Sequence, residues 1–222
     1  MHVGKLMARL NPKNVRFDVD SGGIPELTPQ DIAAALGMVE DGIGREMLCQ
    51  VWWPDGAKLT EDHLFEVMAD AQRQEWQRRE DAMLTAVLAV AERGDKARGI
   101  YASAHANRWP RMVHVKTEIP FAAPGYQKVT RAVLREMKGA GICQNCHGRT
   151  IVFASDAPVK VCPSCLGSGH QAVSSRARAE ACGIEWKSFH DDWQRVYEWT
   201  AELCSQSLLR AHRQFIAAIG GC

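Results

Sequence analysis

The segment CQNCHGRTIVFASDAPVKVCPSC, residues 143–165, contains two CxxC pairs that are separated by fifteen residues. This C-x2-C-x15-C-x2-C spacing is typical of four-thiolate zinc sites, because each CxxC turn aims two sulfurs at one point. The residues between the pairs suffice for a β-hairpin that returns the second turn to the first. A closed four-thiolate shell has no open position for water or substrate, so we predict one structural zinc ion bound by Cys143, Cys146, Cys162 and Cys165.

Two disulfides, or four unrelated thiols, are the alternatives to zinc. Four further cysteines are scattered along the chain without a pairing pattern: Cys49, Cys182, Cys204 and Cys222. Such scatter is typical of reduced thiols in a cytoplasmic protein. His147 and His170 flank the thiolates, but we expect neither to be a ligand, because four sulfurs already complete the shell.

Composition indicates a globular chain with one or two domains. Of its 222 residues, 46% are hydrophobic and 24% are charged, as in ordinary globular proteins. The longest apolar run, Ala82 to Ala91 with Thr85 inside it, is too short to span a bilayer. The first residues lack the apolar stretch of a secretory signal, so we predict a cytoplasmic protein without a membrane partner.

Charge is unevenly distributed around the cysteine pairs. Residues 126–180 hold eight cations and three anions, whereas the rest of the chain holds nineteen cations and twenty-three anions. A basic zinc module on a mildly acidic body is typical of a nucleic-acid contact surface. An ordinary solvated face is the alternative interpretation.

Helical signals dominate the region before the cysteines. Thr28 as cap, Pro29 at the first helical position and Asp31 in the first turn predict a helix over residues 29–40. Thr60 is predicted to cap a long helix to Arg93, either unbroken or interrupted near residues 77–80. Shorter elements are predicted as a helix over residues 45–48, a strand over 111–119 and a basic helix over 128–138.

A helical pair is predicted after the cysteines. Ser174 or Ser175 can cap a helix that ends at Cys182, Gly183 makes a turn, and a second helix starts near Glu185. This is the outline of a helix-turn-helix, and a plain αα-hairpin is the alternative. The last helix carries apolar and aromatic residues at three- and four-residue steps from Trp186 to Phe215, which is typical of a packing face.

The predicted fold class is mainly α. We expect a helical bundle with an inserted four-cysteine zinc-binding β-hairpin module, followed by a helix-turn-helix-like pair. The predicted domains are a flexible N-terminal arm over residues 1–25, a helical region over 26–125, and a basic zinc module with C-terminal helices over 126–222.

Catalytic motifs are missing from the sequence. The patterns GxxxxGK[ST], GxGxxG and HExxH do not occur, and these are the signatures of phosphate, dinucleotide and zinc-hydrolase sites. Adjacent helical residues point about 100° apart, so the pair Asp191-Asp192 suits solvation better than acid–base catalysis. We therefore predict a protein that is not an enzyme and has no small-molecule substrate.

The cysteine pairs and the glycines after them resemble known zinc knuckles. Residues 143–148, CQNCHG, and 162–169, CPSCLGSG, look like knuckles of the DnaJ cysteine-rich domain, but Arg149-Thr150 replaces a final glycine. The chain also lacks the two further knuckles and the His-Pro-Asp motif of that family. In a mainly helical chain of this size, the paired knuckle resembles the lambda-type phage antitermination protein Q family.

This second resemblance covers about residues 26–215. Residues 27–38, LTPQDIAAALGM, look like that family's early helix, and residues 96–100, KARGI, look like its mid-chain Lys-x-Arg-Gly-Val. It implies a transcription antitermination factor in the bacterial host cell that binds double-stranded DNA at a phage late promoter. It also implies binding to host RNA polymerase, which then reads through pauses and terminators. Alternatives are a zinc-dependent DNA-binding repressor or activator that acts by promoter occupancy, and a zinc-stapled scaffold.

With that function in view, contact residues can be proposed on the basic segment. Phosphate contacts are expected from Arg149, Lys160, Arg176 and Arg178, with three secondary candidates, Lys128, Arg131 and Arg135. Base reading is expected from donors at the start of the second helix of the pair: Lys187, Ser188 and His190. Polymerase contact is expected from the N-terminal helices or from the aromatic C-terminal stripe.

Overall fold

The computed structural model describes residues 28–53, 56–57, 61–111, 124–140, 143, 145–146, 151–154, 157–165 and 173–220. These residues are mainly helical, as predicted. The helices are α1 (Pro29–Gly37), α2 (Ile43–Trp52), α3 (Glu61–Arg93), α4 (Arg98–Ala106), α5 (Pro124–Arg135), α6 (Ser175–Cys182), α7 (Trp186–Ser188) and α8 (Gln194–Gly220). A 3-10 turn, Gly94–Ala97, joins α3 to α4, and π-helical turns follow α5 (Glu136–Ala140) and α7 (Phe189–Trp193). The strands are β1 (Ile151–Ala154) and β2 (Ala157–Val161).

The N-terminus of α1 has the predicted capping chemistry. The amide of Asp31 donates to the Thr28 hydroxyl oxygen at 3.2 Å, and the Asp31 carboxylate accepts the Thr28 amide at 2.8 Å. This reciprocal capping box satisfies amides that would otherwise lack partners at a helix start. The predicted end at residue 40 is wrong, because the amides of Met38 and Val39 already turn back to the carbonyls of Ala35 and Leu36.

Two compact units make up the chain. The first contains Met1–Leu64, Arg135–Val173 and Ala201–Cys222, and the second contains Phe65–Leu134 and Ser174–Thr200. The predicted division into 1–25, 26–125 and 126–222 follows chain order and stays a prediction, and its first part lies outside the described residues.

The helical core of the first unit joins α1, α2 and the end of α8. Ile32, Leu36, Leu48 and Phe215 are buried in one apolar cluster. A Cβ atom on Gly44 would collide with the carbonyl oxygen of Ser207 and lie 3.1 Å from the Ala211 methyl carbon. Glycine therefore permits the close approach of α2 to α8. Helix α2 is longer than predicted at both ends, since residues 43–52 replace the predicted 45–48.

In the second unit, α3 runs unbroken through its polar middle. Gln72 is buried, its amide donates to the Thr200 hydroxyl at 2.9 Å, and its carbonyl oxygen accepts the Thr130 hydroxyl at 3.1 Å. The Thr200 hydroxyl donates in turn to the carbonyl of Val196 at 2.7 Å. Satisfied polar groups of this kind can be buried without a large desolvation penalty. The interruption considered for residues 77–80 is absent from this described helix.

Aromatic residues fill much of the second unit. Trp109 meets Trp199 edge-on at 5.2 Å between ring centroids, and Tyr126 meets Trp193 in the same way at 5.1 Å. The Tyr126 hydroxyl donates to the carbonyl of Pro110 at 2.6 Å, and burial raises the pKa of this hydroxyl. A Cβ atom on Gly125 would collide with the indole of Trp193. The predicted packing face of the last helix is confirmed by its buried members, Phe189, Val196, Thr200, Ala211 and Phe215.

The residues between the two CxxC pairs form two short strands. β1 and β2 are antiparallel, with Ile151 opposite Val161 and Val152 opposite Lys160, and the register shifts before Ala154 pairs with Ala157. Because β2 ends immediately before Cys162, this pairing carries the chain back toward the first cysteine pair.

One other predicted helix has different ends in the structure, and two further predictions lie outside the described residues. Helix α5 begins at Pro124, four residues before the predicted start, and ends at Arg135 in a π-helical turn that continues to Ala140. The cap at Thr60 and residues 112–119 of the predicted strand lie outside the described residues. Within the described part of the chain, every helix is too short or too polar to cross a membrane.

Candidate metal centre and candidate nucleic-acid interface

The first unit gathers the four predicted ligand residues into one cluster. The Sγ atoms of Cys143, Cys146, Cys162 and Cys165 all lie within 4.8 Å of one another. Each cysteine is buried, with between 0% and 7% of its surface exposed. Among the described residues, Val152 of β1 packs against this cluster. The spacing of the cysteines thus corresponds to a real convergence in space.

The distances between the sulfurs fit the tetrahedral coordination of one metal ion. Cys143 Sγ is 3.8 Å from Cys162 Sγ, and Cys146 Sγ is 3.6 Å from Cys165 Sγ. Four sulfurs bound to zinc at about 2.3 Å stand about 3.8 Å apart in a tetrahedron. A disulfide needs sulfurs about 2.05 Å apart, and none of the four cysteines is disulfide-bonded. The cluster can therefore hold one metal ion, and the disulfide alternative does not describe it.

The local backbone favours the thiolate form of one ligand. Burial opposes ionisation of Cys162, but the amides of Ser164 and Cys165, with the neighbouring thiols, outweigh it and lower the pKa of Cys162 from 9.0 to about 6. Thiolate is the form of cysteine that binds a metal. His147 and His170, which flank the cluster in sequence, lie outside the described residues.

The helical pair in the second unit has the geometry of a tight turn. Gly183 adopts the left-handed conformation, with φ of +58°, directly after α6. The amide of Ile184 donates to the carbonyl of Ala179 at 3.1 Å, and the amide of Gly183 donates to the carbonyl of Glu180 at 2.9 Å. The Glu185 carboxylate then caps the next helix by accepting the amides of Lys187 and Ser188. A turn of this kind is compatible with both a helix-turn-helix and an αα-hairpin.

Three of the predicted DNA-contacting cations have contacts within the second unit. The Arg178 guanidinium lies over the Tyr197 ring at 5.0 Å, and the Arg131 guanidinium lies over the Phe65 ring at 5.3 Å. Lys128 Nζ donates to the carbonyl of Gly183 at 3.2 Å, which brings α5 against the turn of the helical pair. Cation–π contacts of this kind stabilise the fold even where the cation stays partly in water.

The other predicted contact residues are mostly exposed. In the second unit, Arg176, Lys187 and His190 are exposed and Ser188 is half-buried. In the first unit, Lys160 on β2 and Arg135 at the end of α5 are exposed. Arg149 lies outside the described residues. The structure thus assembles the helical-pair candidates in one unit and the cysteine cluster with Lys160 in the other.

Trp186 lies at the surface, although the periodic sequence pattern predicts it to be on the packing face. It is 44% exposed, and its ring stacks on His190 with centroids 5.5 Å apart. His190 Nδ1 is 3.1 Å from Gln194 Oε1, and Gln194 Nε2 donates to Glu198 at 2.8 Å. No signal in the sequence separates Trp186 from the buried members of the stripe.

The comparisons with known proteins found no relative of this chain. The chain matches no family model, no curated protein and no solved structure. Its function must therefore be argued from its own residues.

Proposed function

We propose that this chain is a zinc-stapled transcription antitermination factor of a phage, which binds late-promoter DNA and the RNA polymerase of the bacterial host. The observation that carries the proposal is the convergence of four buried cysteines from the C-x2-C-x15-C-x2-C motif. This motif, with the residues around it, is what resembles the lambda-type antitermination protein Q family.

Zinc is the ion that best suits the cluster. Four thiolates in a buried, closed arrangement favour zinc over the harder cations that prefer oxygen ligands. The four cysteines would hold the ion, and the ion would supply folding energy to a segment whose described strands are short. In this proposal β1 and β2 form the hairpin of the zinc module.

DNA recognition is proposed for the helical pair of the second unit. Arg176 lies in the first turn of α6, and Lys187 and His190 lie at the start of the second helix, all exposed. Arginine and lysine at such positions suit phosphate and base-edge contacts. Because Arg178 and Arg131 lie over aromatic rings, we assign the main phosphate contact of this unit to Arg176.

Polymerase binding is proposed for the N-terminal helices or for the exposed pair Asp191 and Asp192, rather than for the buried part of the aromatic stripe. The buried members of the stripe face the core and cannot meet a partner without local unfolding: Phe189, Val196, Tyr197, Thr200, Ala211 and Phe215. The exposed pair Asp191 and Asp192 lies beside the proposed DNA face. Carboxylates suit a basic protein surface better than a phosphate backbone.

In vitro transcription tests the proposal directly. A late-promoter template with a downstream intrinsic terminator is transcribed by the host polymerase with and without the purified protein. We expect full-length readthrough transcripts only when the template carries the promoter-linked DNA element. Promoter binding with unchanged termination would contradict antitermination.

A pair of charge reversals tests the DNA surface. Arg176→Glu and Lys187→Glu together should weaken binding and lower the slope of log affinity against log salt by about 0.9 for each phosphate that the protein no longer neutralises. Arg93→Glu and Arg210→Glu together, at exposed cations at the end of α3 and in α8, are the control with the same change in net charge and should leave the slope unchanged. Equal slopes for the wild type and the double variant would mean that the DNA-binding surface lies elsewhere on the protein.

Repression or activation by promoter occupancy is the second candidate. The exposed cations of the helical pair favour it as much as they favour antitermination, since both functions begin with DNA binding. Occupancy alone predicts footprints and altered initiation without readthrough. A protein that retains neither DNA nor polymerase at low salt would instead be a zinc-stapled scaffold.

A further inference from the structure

Asn145 connects the two CxxC turns through its side chain. It lies on the first turn, between Gln144 and Cys146, but both of its hydrogen bonds go to the second turn. Its amide nitrogen is 3.5 Å from Cys162 Sγ and donates to Ser164 Oγ at 3.0 Å. These contacts span 17 and 19 residues of chain.

Ser164 bonds to both Cys162 and Asn145 and so completes a closed set of three hydrogen-bonded residues. Its backbone amide donates to Cys162 Sγ, and its hydroxyl accepts the Asn145 amide. The sulfur of Cys162 therefore receives the backbone amides of Ser164 and Cys165 from its own turn and the Asn145 amide from the other turn. We propose that Asn145 is a positioning residue for the metal centre, which holds the two turns in register and slows release of the ion. This inference rests on the metal centre of the proposed function.

The chemistry requires an amide at this position. Four thiolates around a divalent ion leave a net negative charge, and N–H donors to sulfur spread that charge and orient the ligand. The amide group of asparagine has two N–H donors, one for the sulfur and one for the hydroxyl. An aspartate would donate nothing and would add a negative charge beside the thiolates.

Metal release measures this role directly. The purified, zinc-loaded full chain is mixed with excess chromophoric chelator, and the release rate is followed by absorbance. We expect Asn145→Ala to release zinc about tenfold faster than the wild type, as outer-shell partners of metal ligands typically contribute. Asn145→Asp should release faster still, because of its added charge, and Ser164→Ala should have a smaller effect than Asn145→Ala.

Cobalt(II) substitution separates ligand positioning from general stability. We expect Asn145→Ala to shift the sulfur-to-cobalt charge-transfer bands, while far-UV circular dichroism stays at the wild-type level. Gln206→Ala is the matched control, because this exposed amide in the same unit donates only to Glu202 one turn away on its helix. It should leave both the release rate and the cobalt spectrum unchanged.

Two results would overturn the inference, and they differ in what else they affect. In the first, the wild type holds zinc, and Asn145→Ala has an unchanged release rate and cobalt spectrum. This result would disprove the role of Asn145 alone. Wild-type protein that binds no metal removes the metal centre as well, and with it the proposed function.

Discussion

The cysteine segment and the aromatic core of the second unit differ in the groups that are available to stabilise them. Around the four cysteines, the strands have only four and five residues, and Val152 is the partly buried hydrophobic residue packed against the described cluster. In the second unit, Trp109, Tyr126, Trp193 and Trp199 bury large rings against one another. A two-stranded hairpin is only marginally stable by itself in water. In the proposed metal centre, ligand bonds would therefore stabilise the cysteine segment, whereas burial of aromatic rings stabilises the second unit.

Loss of one ligand should therefore have the largest effect on the chain. Cys162→Ser removes a sulfur from a site of a kind whose apparent zinc-binding free energy is about 10–16 kcal/mol in small zinc modules at neutral pH. We expect loss of bound metal and a lower melting temperature, measured by elemental analysis and calorimetry.

The control for this variant is a cysteine outside the cluster. Cys204 is buried in α8, where burial raises the pKa of its thiol to about 12. Cys204→Ala should keep the full metal content. If Cys162→Ser also keeps its metal and its melting temperature, the cysteine segment is not stabilised by ligand bonds and the comparison fails.

The aromatic core should respond through packing alone. Trp109 is 3% exposed, meets Trp199 and Tyr126, and carries the Arg79 guanidinium over its ring at 4.6 Å. Trp109→Ala should lower the free energy of unfolding by about 3–5 kcal/mol, the usual effect of removing a buried large aromatic ring. Denaturant titration measures this loss.

Metal content sharpens the distinction between the two regions. Trp109→Ala should retain the wild-type amount of zinc, because none of the metal ligands lies in the second unit. Five of the seven tryptophans lie in that unit, so near-UV circular dichroism reports on its packing. Zinc loss in Trp109→Ala, with the fold otherwise intact, would show that the two regions depend on each other.

The features readable from the sequence are those set by neighbouring residues. The capping box of Thr28 and Asp31, the left-handed turn at Gly183 and the ligand set of the cysteine pairs all follow from short-range chemistry. Each needs particular residue types at a fixed spacing, so one sequence is enough to predict it.

Features set by distant partners could not be read in this way. The continuity of α3 through its polar middle depends on Gln72 meeting Thr130 and Thr200, which lie 58 and 128 residues away. The contacts of Arg178 and Arg131 with aromatic rings likewise depend on tertiary packing. A cation in a basic segment has the same sequence signature whether it faces solvent, an aromatic ring or a phosphate.

The smallest expected effect concerns an ion-pair cluster on α3 in the second unit. The Glu75 carboxylate accepts the Arg78 guanidinium at 2.6 and 2.7 Å and the Arg79 guanidinium at 2.8 Å. The hydrogen bonds from Arg78 lower the pKa of Glu75 below its ordinary 4.5, although burial opposes them. A lowered carboxyl pKa contributes stability above pH 4.5 that is lost as the pH falls through the folded-state pKa.

Glu75→Gln should therefore lower stability at neutral pH and flatten its decline in acid. The Arg78 side chain is 67% exposed, whereas the Glu75 and Arg79 side chains are 9% and 16% exposed, so water screens only the Arg78 pair and the loss should be about 1 kcal/mol. Denaturant titrations at several values from about pH 7 to about pH 3 measure it, with the variant curves converging on the wild type at the acid end. Glu66→Gln, an exposed position on the same helix, is the control and should follow the wild type. Parallel curves for Glu75→Gln and wild type would mean that the ion pairs do not stabilise the second unit, which leaves its stability to packing alone.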